Sequence, residues 1–183
     1  MVRRYRTPDE LAAFHSVARR IAKTTYQERL LGAGLPDTPA FVTRMLALAA
    51  ADSVRAWTLD VDGVPAAYLY CPVQGDDVIY EYVGHDPAFG DRSVGTLLHV
   101  EAIRDLQAEG RFARFDFTEG EGQHKRTLST SGVACVDLLL LRPTPANRAT
   151  IALLAAFDGA VARAKTLVAR AGLGDWARKL RRG

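Results

Sequence analysis

The 183-residue chain is 48% hydrophobic and 25% charged, enough apolar material for one globular domain with a sizeable core. Its 24 Lys and Arg against 21 Asp and Glu leave a net charge of +3, too small to imply nucleic-acid binding by itself yet compatible with an anionic ligand. The two cysteines, Cys71 and Cys135, make neither a metal-ligand spacing nor a disulfide framework and are read as reduced thiols.

In chain order, residues 3 to 6 read as a short edge strand. Thr7-Pro8-Asp9-Glu10 then predicts a helix start, with Thr7 as cap, Pro8 at the first helical position and Glu10 closing a capping box. Leu11, Phe14, Val17, Ala18 and Ile21 recur behind it at helical spacing. A break from Gly32 to Pro39 separates a second helix, opened by Thr38-Pro39 and carrying Phe41, Met45, Leu46 and Leu48.

The middle of the chain predicts β structure. Residues 54 to 85 hold three strand-like runs divided by Asp62-Gly63 and by Gln74-Gly75-Asp76, the signature of an antiparallel meander. In the third run, VIYEYVGH, period-two alternation puts Val78, Tyr80 and Tyr82 on one face and Ile79, Glu81 and Val83 on the other. Gly84 suits a bulge or splay at the strand end. Glu81 is the odd residue of that run, either a solvent-facing carboxylate or a functional one.

Ser93 to Glu109 is the next helix, with Leu98, Ala102, Ile103 and Leu106 on one face and Gly110 as its stop. A strand over 112 to 117 leads into FDFTEGEGQHKR, residues 115 to 126, where a glycine-broken acidic loop runs into a basic cluster. That stretch is either a solvated turn or the rim of a site. Ala134 to Leu141, apolar except for Asp137, predicts a central strand. After Pro143 and Pro145 the spacing is helical again, through Ile151, Leu154, Phe157, Val161 and Leu167. The order predicts an α/β fold: one mixed, mostly antiparallel sheet with helices on both faces over residues 1–145, then an amphipathic basic helical segment over 146–183.

One loop has the composition of an anion cradle. Gly90, Asp91, Arg92, Ser93, Val94, Gly95 and Thr96 lie between a strand and a helix N-terminus, where unpaired N–H groups and the positive end of the helix dipole favour negative charge. Arg92 adds a fork of donors, and Gly95 lets a phosphate approach the backbone. The plainer reading has Ser93 capping the helix and Gly95 avoiding a clash.

The element order, together with GVPAAYLY in the hairpin, SVGTLLHVEAIRDLQAEG in the long helix and RFARFDFTEGEGQHKR after it, resembles the GNAT superfamily of N-acyltransferases. Within it the motifs resemble the CelD-like acetyltransferases, relatives of the Fem peptidyltransferases, over about residues 3 to 142. The pattern there is a Pro-Gly-Thr/Ser-Leu-Leu helix start and an Asp-Phe-Gly-x-Gly…Tyr-Lys turn; here Val94 stands for the Pro and His124 for the Tyr. Longer members carry two GNAT-like halves, of which this chain resembles the second, and the helical stretch after Pro145 replaces the usual final β-hairpin. The resemblance implies acetyl-CoA or another acyl-CoA as cofactor. Its pyrophosphate would sit on Arg92, Ser93, Val94, Gly95 and Thr96, and its thioester carbonyl on the strand backbone at Val83 and Gly84.

Acyl transfer to an amine needs a deprotonated amine, a positioned thioester and a proton for the departing thiolate. The candidate bases are Glu81, His85, Asp116 and Glu119, and the candidate acids Tyr80, Tyr82 and His124. By the resemblance, Asp116 faces an acceptor amine or Lys125, Lys125 neutralises an anionic acceptor or the attacked carbonyl, and His124 carries a proton in place of the family Tyr. The alternative is an Asp116–Lys125 ion pair that holds the turn, with Glu119 and Glu121 merely solvated. His15 and His99 lie on helices without ligand-spaced partners, so no metal site is expected.

Three functions remain open at this level: a CoA-dependent N-acyltransferase acting on a small-molecule or peptide amine, a Fem-like transferase using aminoacyl-tRNA, and a non-catalytic GNAT-derived binding module. The C-terminal Arg163, Lys165, Arg170, Arg178, Lys179, Arg181 and Arg182 form a solvated face, or a contact for tRNA, an anionic membrane or a partner. No apolar run reaches the roughly 20 residues of a spanning helix, and no apolar stretch follows the basic N-terminus, so a cytoplasmic protein is expected.

Overall fold

A threonine and a proline begin each of the first two described helices. In α1 (Pro8–Ala22) the Thr7 hydroxyl accepts from the Glu10 N–H while the Glu10 carboxylate accepts from the Thr7 N–H, the reciprocal box its sequence predicts. Such a cap contributes about 1 kcal/mol. In α2 (Pro39–Ala50) the Thr38 hydroxyl accepts from the Phe41 N–H. The computed structural model describes residues 1–25, 34–120, 122–136, 138 and 140–170. Gly32, Glu121, Arg178, Lys179, Arg181 and Arg182 lie outside those residues.

The chain divides into two compact units, Met1–Val133 and Ala134–Gly183. The first holds one six-stranded sheet. β1 (Val2–Tyr5) pairs with β2 (Val54–Val61), and β2 with β3 (Val64–Gln74), both antiparallel. The Asp62-Gly63 turn between β2 and β3 has both residues at positive φ, 52° and 80°, as a tight hairpin requires. β4 (Asp77–Ile79) and β5 (Tyr82–His85) both pair antiparallel with β3, and β6 (Arg114–Asp116) pairs parallel with β4. A turn over Pro87–Arg92 leads from β5 to α3 (Val94–Glu109), and α4 (Gln123–Leu128) follows β6.

Each face of the sheet carries its own core. Leu11, Phe14, Ala18 and Ile21 of α1 and Phe41 and Met45 of α2 pack on Val54, Ala56, Tyr68 and Tyr70. Val94, Leu98, Ala102 and Leu106 of α3 cover the opposite face, on Trp57, Leu59, Ala67, Leu69, Cys71 and Val78. The expected mixed sheet between helix layers is therefore present. In α3, His99 is buried with the apolar residues, whereas Ile103 is only half-buried.

The third β run departs from its predicted form: it is two strands. Val78 stands opposite Val73 and Tyr82 opposite Tyr70, so one strand advances four residues while its partner advances three. The extra residue is a bulge at Tyr80–Glu81, where the Glu81 N–H also reaches the Tyr70 carbonyl at 3.3 Å. Beyond it the side chains change faces. Tyr80 packs with the α3 layer and Tyr82 with the α1–α2 layer, so the two do not share the face that strict alternation predicted. Gly84 is not the bulge. It lies within β5 opposite Tyr68, and a Cβ there would come within 2.5 Å of the Tyr68 ring.

In the second unit, α5 (Pro145–Arg170) is helical as its spacing predicts, with Ile151, Leu154, Phe157 and Leu167 exposed. The strand expected over Ala134–Leu141 is absent among the described residues there, and Val136, Leu138 and Leu140 are exposed. An apolar run becomes a central strand only where an open sheet edge pairs it, which composition does not reveal. None of the described helices is long and apolar enough to cross a membrane.

The Gly84–Tyr68 contact makes a direct prediction. Gly84→Ala forces the buried Tyr68 ring or the β3–β5 ladder to shift and lowers stability by about 1–3 kcal/mol in chemical denaturation.

Candidate active site

The bulge opens a fork in the sheet. β4 is held on its far side by β6, the last bond running from the Tyr80 N–H to the Asp116 carbonyl at 2.9 Å. β5 stays on β3 and, among the described residues, has no strand on its other side. The Asp86 N–H donates to the Ala66 carbonyl, so antiparallel alternation turns the N–H groups of Val83 and His85 away from β3, into the fork. Of the two residues expected to hold a thioester carbonyl, Val83 presents its donor there, whereas the Gly84 N–H faces β3.

The start of α3 borders the same fork. Ser93 adopts the left-handed conformation, φ 50° and ψ 33°, and its side chain makes no cap bond, so the capping reading of Ser93 does not hold. The first intrahelical backbone bond here, Leu97 N–H to Ser93 carbonyl at 3.0 Å, leaves Val94, Gly95 and Thr96 with outward N–H groups. A Cβ on Gly95 would lie 3.8 Å from His85 Nδ1, so the helix start abuts the β5 end. Space around Gly90 is open. The Val94 side chain is 2% exposed in the core, so only its backbone can serve a ligand. Arg92 pairs with exposed Asp62 at 3.2 Å and lies over the Phe89 ring, a surface contact weak enough to exchange for a phosphate. Uncapped donors, an exchangeable guanidinium fork at the rim and an open backbone fit the pyrophosphate of an acyl-CoA.

The basic turn is held by bonds to its own backbone. Asp116 and Lys125 form no ion pair. The exposed Asp116 carboxylate accepts from the Thr118 N–H at 2.7 Å, and Lys125 Nζ donates to the carbonyls of Thr118 and Glu119. Thr118 at φ 61° and Gly120 at φ 84° coil the loop so tightly that its own carbonyls reach the lysine before Asp116 does. The Glu119 side chain is exposed. Glu81, at the bulge itself, receives both guanidinium nitrogens of Arg44 at 3.2 and 3.3 Å.

His124 is the member of the turn that reaches the fork. Its ring lies 5.7 Å from Tyr80 and 6.1 Å from Phe117, and stacks at 7° on His99. Burial, with Lys125 beside it, pushes the His124 pKa below the ordinary imidazole value. His99 is pushed down to about 4 by burial and by His124. Burial also raises the Tyr80 and Tyr82 phenols, which weakens both as proton donors to a thiolate. Sequence reasoning missed His99, since a lone helical histidine has no local signal. The cue was its place beside Leu98 and Ala102 on the buried stripe of α3.

Residues 1–126 match the family described as acetyltransferase (GNAT) domain, and the chain belongs to it. No curated protein sequence matches the chain. Among solved structures it is similar to an aminoglycoside acetyltransferase, meta-AAC0020, from an uncultured soil metagenomic sample in complex with trehalose, at 12% identity and TM-score 0.56, covering 78% of this chain and 95% of that one. It is also similar to AAC(6')-Iy in complex with the bisubstrate analog CoA-S-monomethyl-acetylneamine, at 17% identity and TM-score 0.54, over 78% and 97%. A possible acetyltransferase from Clostridium difficile 630 matches at 10% identity and TM-score 0.52, over 78% and 98%. At these identities the structures share the fold. The family makes this chain an acyl-CoA-dependent N-acyltransferase.

A Cβ on Gly122 would lie 2.9 Å from His124 Cε1. Gly122→Ala therefore displaces the His124 ring, seen as a shift of its Cε1–H and of the stacked His99 Cε1–H resonances, with the rest of the first unit unchanged.

Proposed function

We propose that the chain moves an acetyl group from acetyl-CoA directly to the amine of a small molecule or peptide, and that its kin are the CelD-like acetyltransferases. The observation that carries this reading is the fork. Outward donors on β5 and the uncapped start of α3 border one place, where a Cβ added to Gly95 would lie 3.8 Å from His85 Nδ1. In the transfer the amine nitrogen bonds the acyl carbon, the C–S bond breaks, and the proton lost by the amine ends on the thiolate.

The chain's own groups divide the work. The N–H groups of Val94, Gly95 and Thr96, with Arg92 and Ser93 at the rim, hold the diphosphate. The Val83 N–H, turned into the fork, holds the thioester oxygen as it gains charge, a contribution of about 3 kcal/mol for such a donor. His124, uncharged at neutral pH, takes the amine proton and returns it to the sulfur. A base of this kind adds about 10²–10⁴-fold. Asp116 and Lys125 act on the turn: one holds the Thr118 N–H and the other two carbonyls, and together they aim His124. Glu81, anchored by Arg44, draws a cationic acceptor to the bulge. Two of the similar structures are aminoglycoside acetyltransferases, which makes amino-sugar amines the first acceptors to screen.

Calorimetry with acetyl-CoA tests the reading. The protein binds it at micromolar concentration, and Gly95→Glu, which sets a carboxylate among the diphosphate donors, weakens binding by about 100-fold or more. Circular dichroism of the variant stays unchanged, since Gly95 has negative φ and room for a side chain. Equal affinity in both proteins, or none in either, contradicts the assignment.

A further inference from the structure

His99 is 4% exposed, and among the described residues neither of its ring nitrogens has a hydrogen-bond partner. Leaving such groups unpaired inside a protein is destabilising. With no bond to make, the ring offers its neighbours a flat, uncharged face. That face is occupied by His124, with centroids 5.3 Å apart and planes within 7°. Tyr80, just past β4 and bonded to Asp116 of β6, packs 5.3 Å from His99 and 5.7 Å from His124. Phe117 closes the cluster at 6.3 Å from His99.

We propose that His99 is a positioning residue: its buried ring is the platform on which the proton-carrying His124 is held at the fork, dry and uncharged. The inference deepens the acyl-transfer reading and rests on it. α4 is a short helix whose start has no side-chain cap, so little within it fixes the His124 ring. α3, by contrast, is anchored in the core by Val94, Leu98, Ala102 and Leu106. The stack ties the acid–base group to the core-anchored helix, and the His124 Nε2 it covers is also buried without a partner among the described residues.

The surrounding groups leave the proton to His124. Tyr80, just past β4, and Cys71, from β3, are kept protonated by burial. Lys125, beside His124 in α4, opposes a second positive charge. His99 stays neutral down to about pH 4, so it does not compete for the proton. Activity needs His124 uncharged. Its lowered pKa therefore puts the acidic limb of the rate profile below the ordinary imidazole value of 6.5, with activity lost as pH falls through that limb.

The test uses the full chain with His99→Ala and His99→Phe, following the His124 Cε1–H titration by NMR and kcat against pH with acetyl-CoA and an acceptor amine. In His99→Ala the platform is gone and water enters. The His124 midpoint rises to the ordinary value, the acidic limb of kcat rises with it, and kcat falls at least about tenfold while KM for acetyl-CoA stays within about twofold. His99→Phe restores a flat face without the unpaired nitrogens. It keeps the low midpoint, recovers kcat and melts higher than the native chain. A His124 midpoint unmoved by His99→Ala overturns the proposal, as does a Phe variant that behaves like the Ala one. If the native chain turns over no acetyl-CoA while the titrations follow this pattern, the platform stands as structure and it is the acyl-transfer reading that fails.

Discussion

The structure turns on one surplus residue opposite Tyr70. Between Val78 and Tyr82 the chain spends four residues where β3 spends three, so the strand cannot continue straight. Tyr80 remains on the α3 side, bonded to β6, while Tyr82 moves to the α1–α2 side among Phe41 and Tyr70. β5 is thereby freed from β6, and among the described residues no strand takes up its outer N–H groups. A sheet of this size would otherwise satisfy those donors with another strand. Gly84 makes the arrangement durable, because only a residue without Cβ lets β5 lie against the Tyr68 ring.

The second feature follows from the first. The chain leaves β5 at His85, makes the Pro87–Arg92 turn and enters α3 through Ser93 in a left-handed conformation, which costs a non-glycine residue roughly 1–2 kcal/mol. The same serine declines to cap the helix. A strained, uncapped helix start is a poor solution for stability alone, and a good one for an anion, since its donors are already aimed and need no reorganisation. A net charge of +3 suits this economy. The attraction is local to one loop and does not depend on a broadly basic surface.

Much of this was legible before any coordinates. Thr7, Pro8 and Glu10 announce α1 because capping is a contact between neighbours, and Asp62-Gly63 announces its hairpin because the turn type demands those residues. The helix after residues 90–96 was readable from its apolar spacing and its Gly110 stop, although Ser93 does not cap it. What the sequence hid depends on partners far along the chain. The bulge is defined by the register against β3, so VIYEYVGH alone looks like one regular strand. An Asp116–Lys125 pair was one of two readings on paper, but loop carbonyls from Thr118 and Glu119 reach the lysine first. His99 and His124 meet only because α3 and the turn after β6 flank the same fork. The run Ala134–Leu141 has the composition of a central strand without a described strand to pair it.

The account's central claim is that the β5 donors and the α3 start form one cofactor cradle. It is tested most directly by amide chemical shifts of the labelled protein titrated with coenzyme A. The account predicts that the largest changes fall on Val83, His85 and Val94 through Thr96 together, with those of β1 and β2 unmoved. Changes confined to other surfaces, or to the helix start without β5, would contradict it.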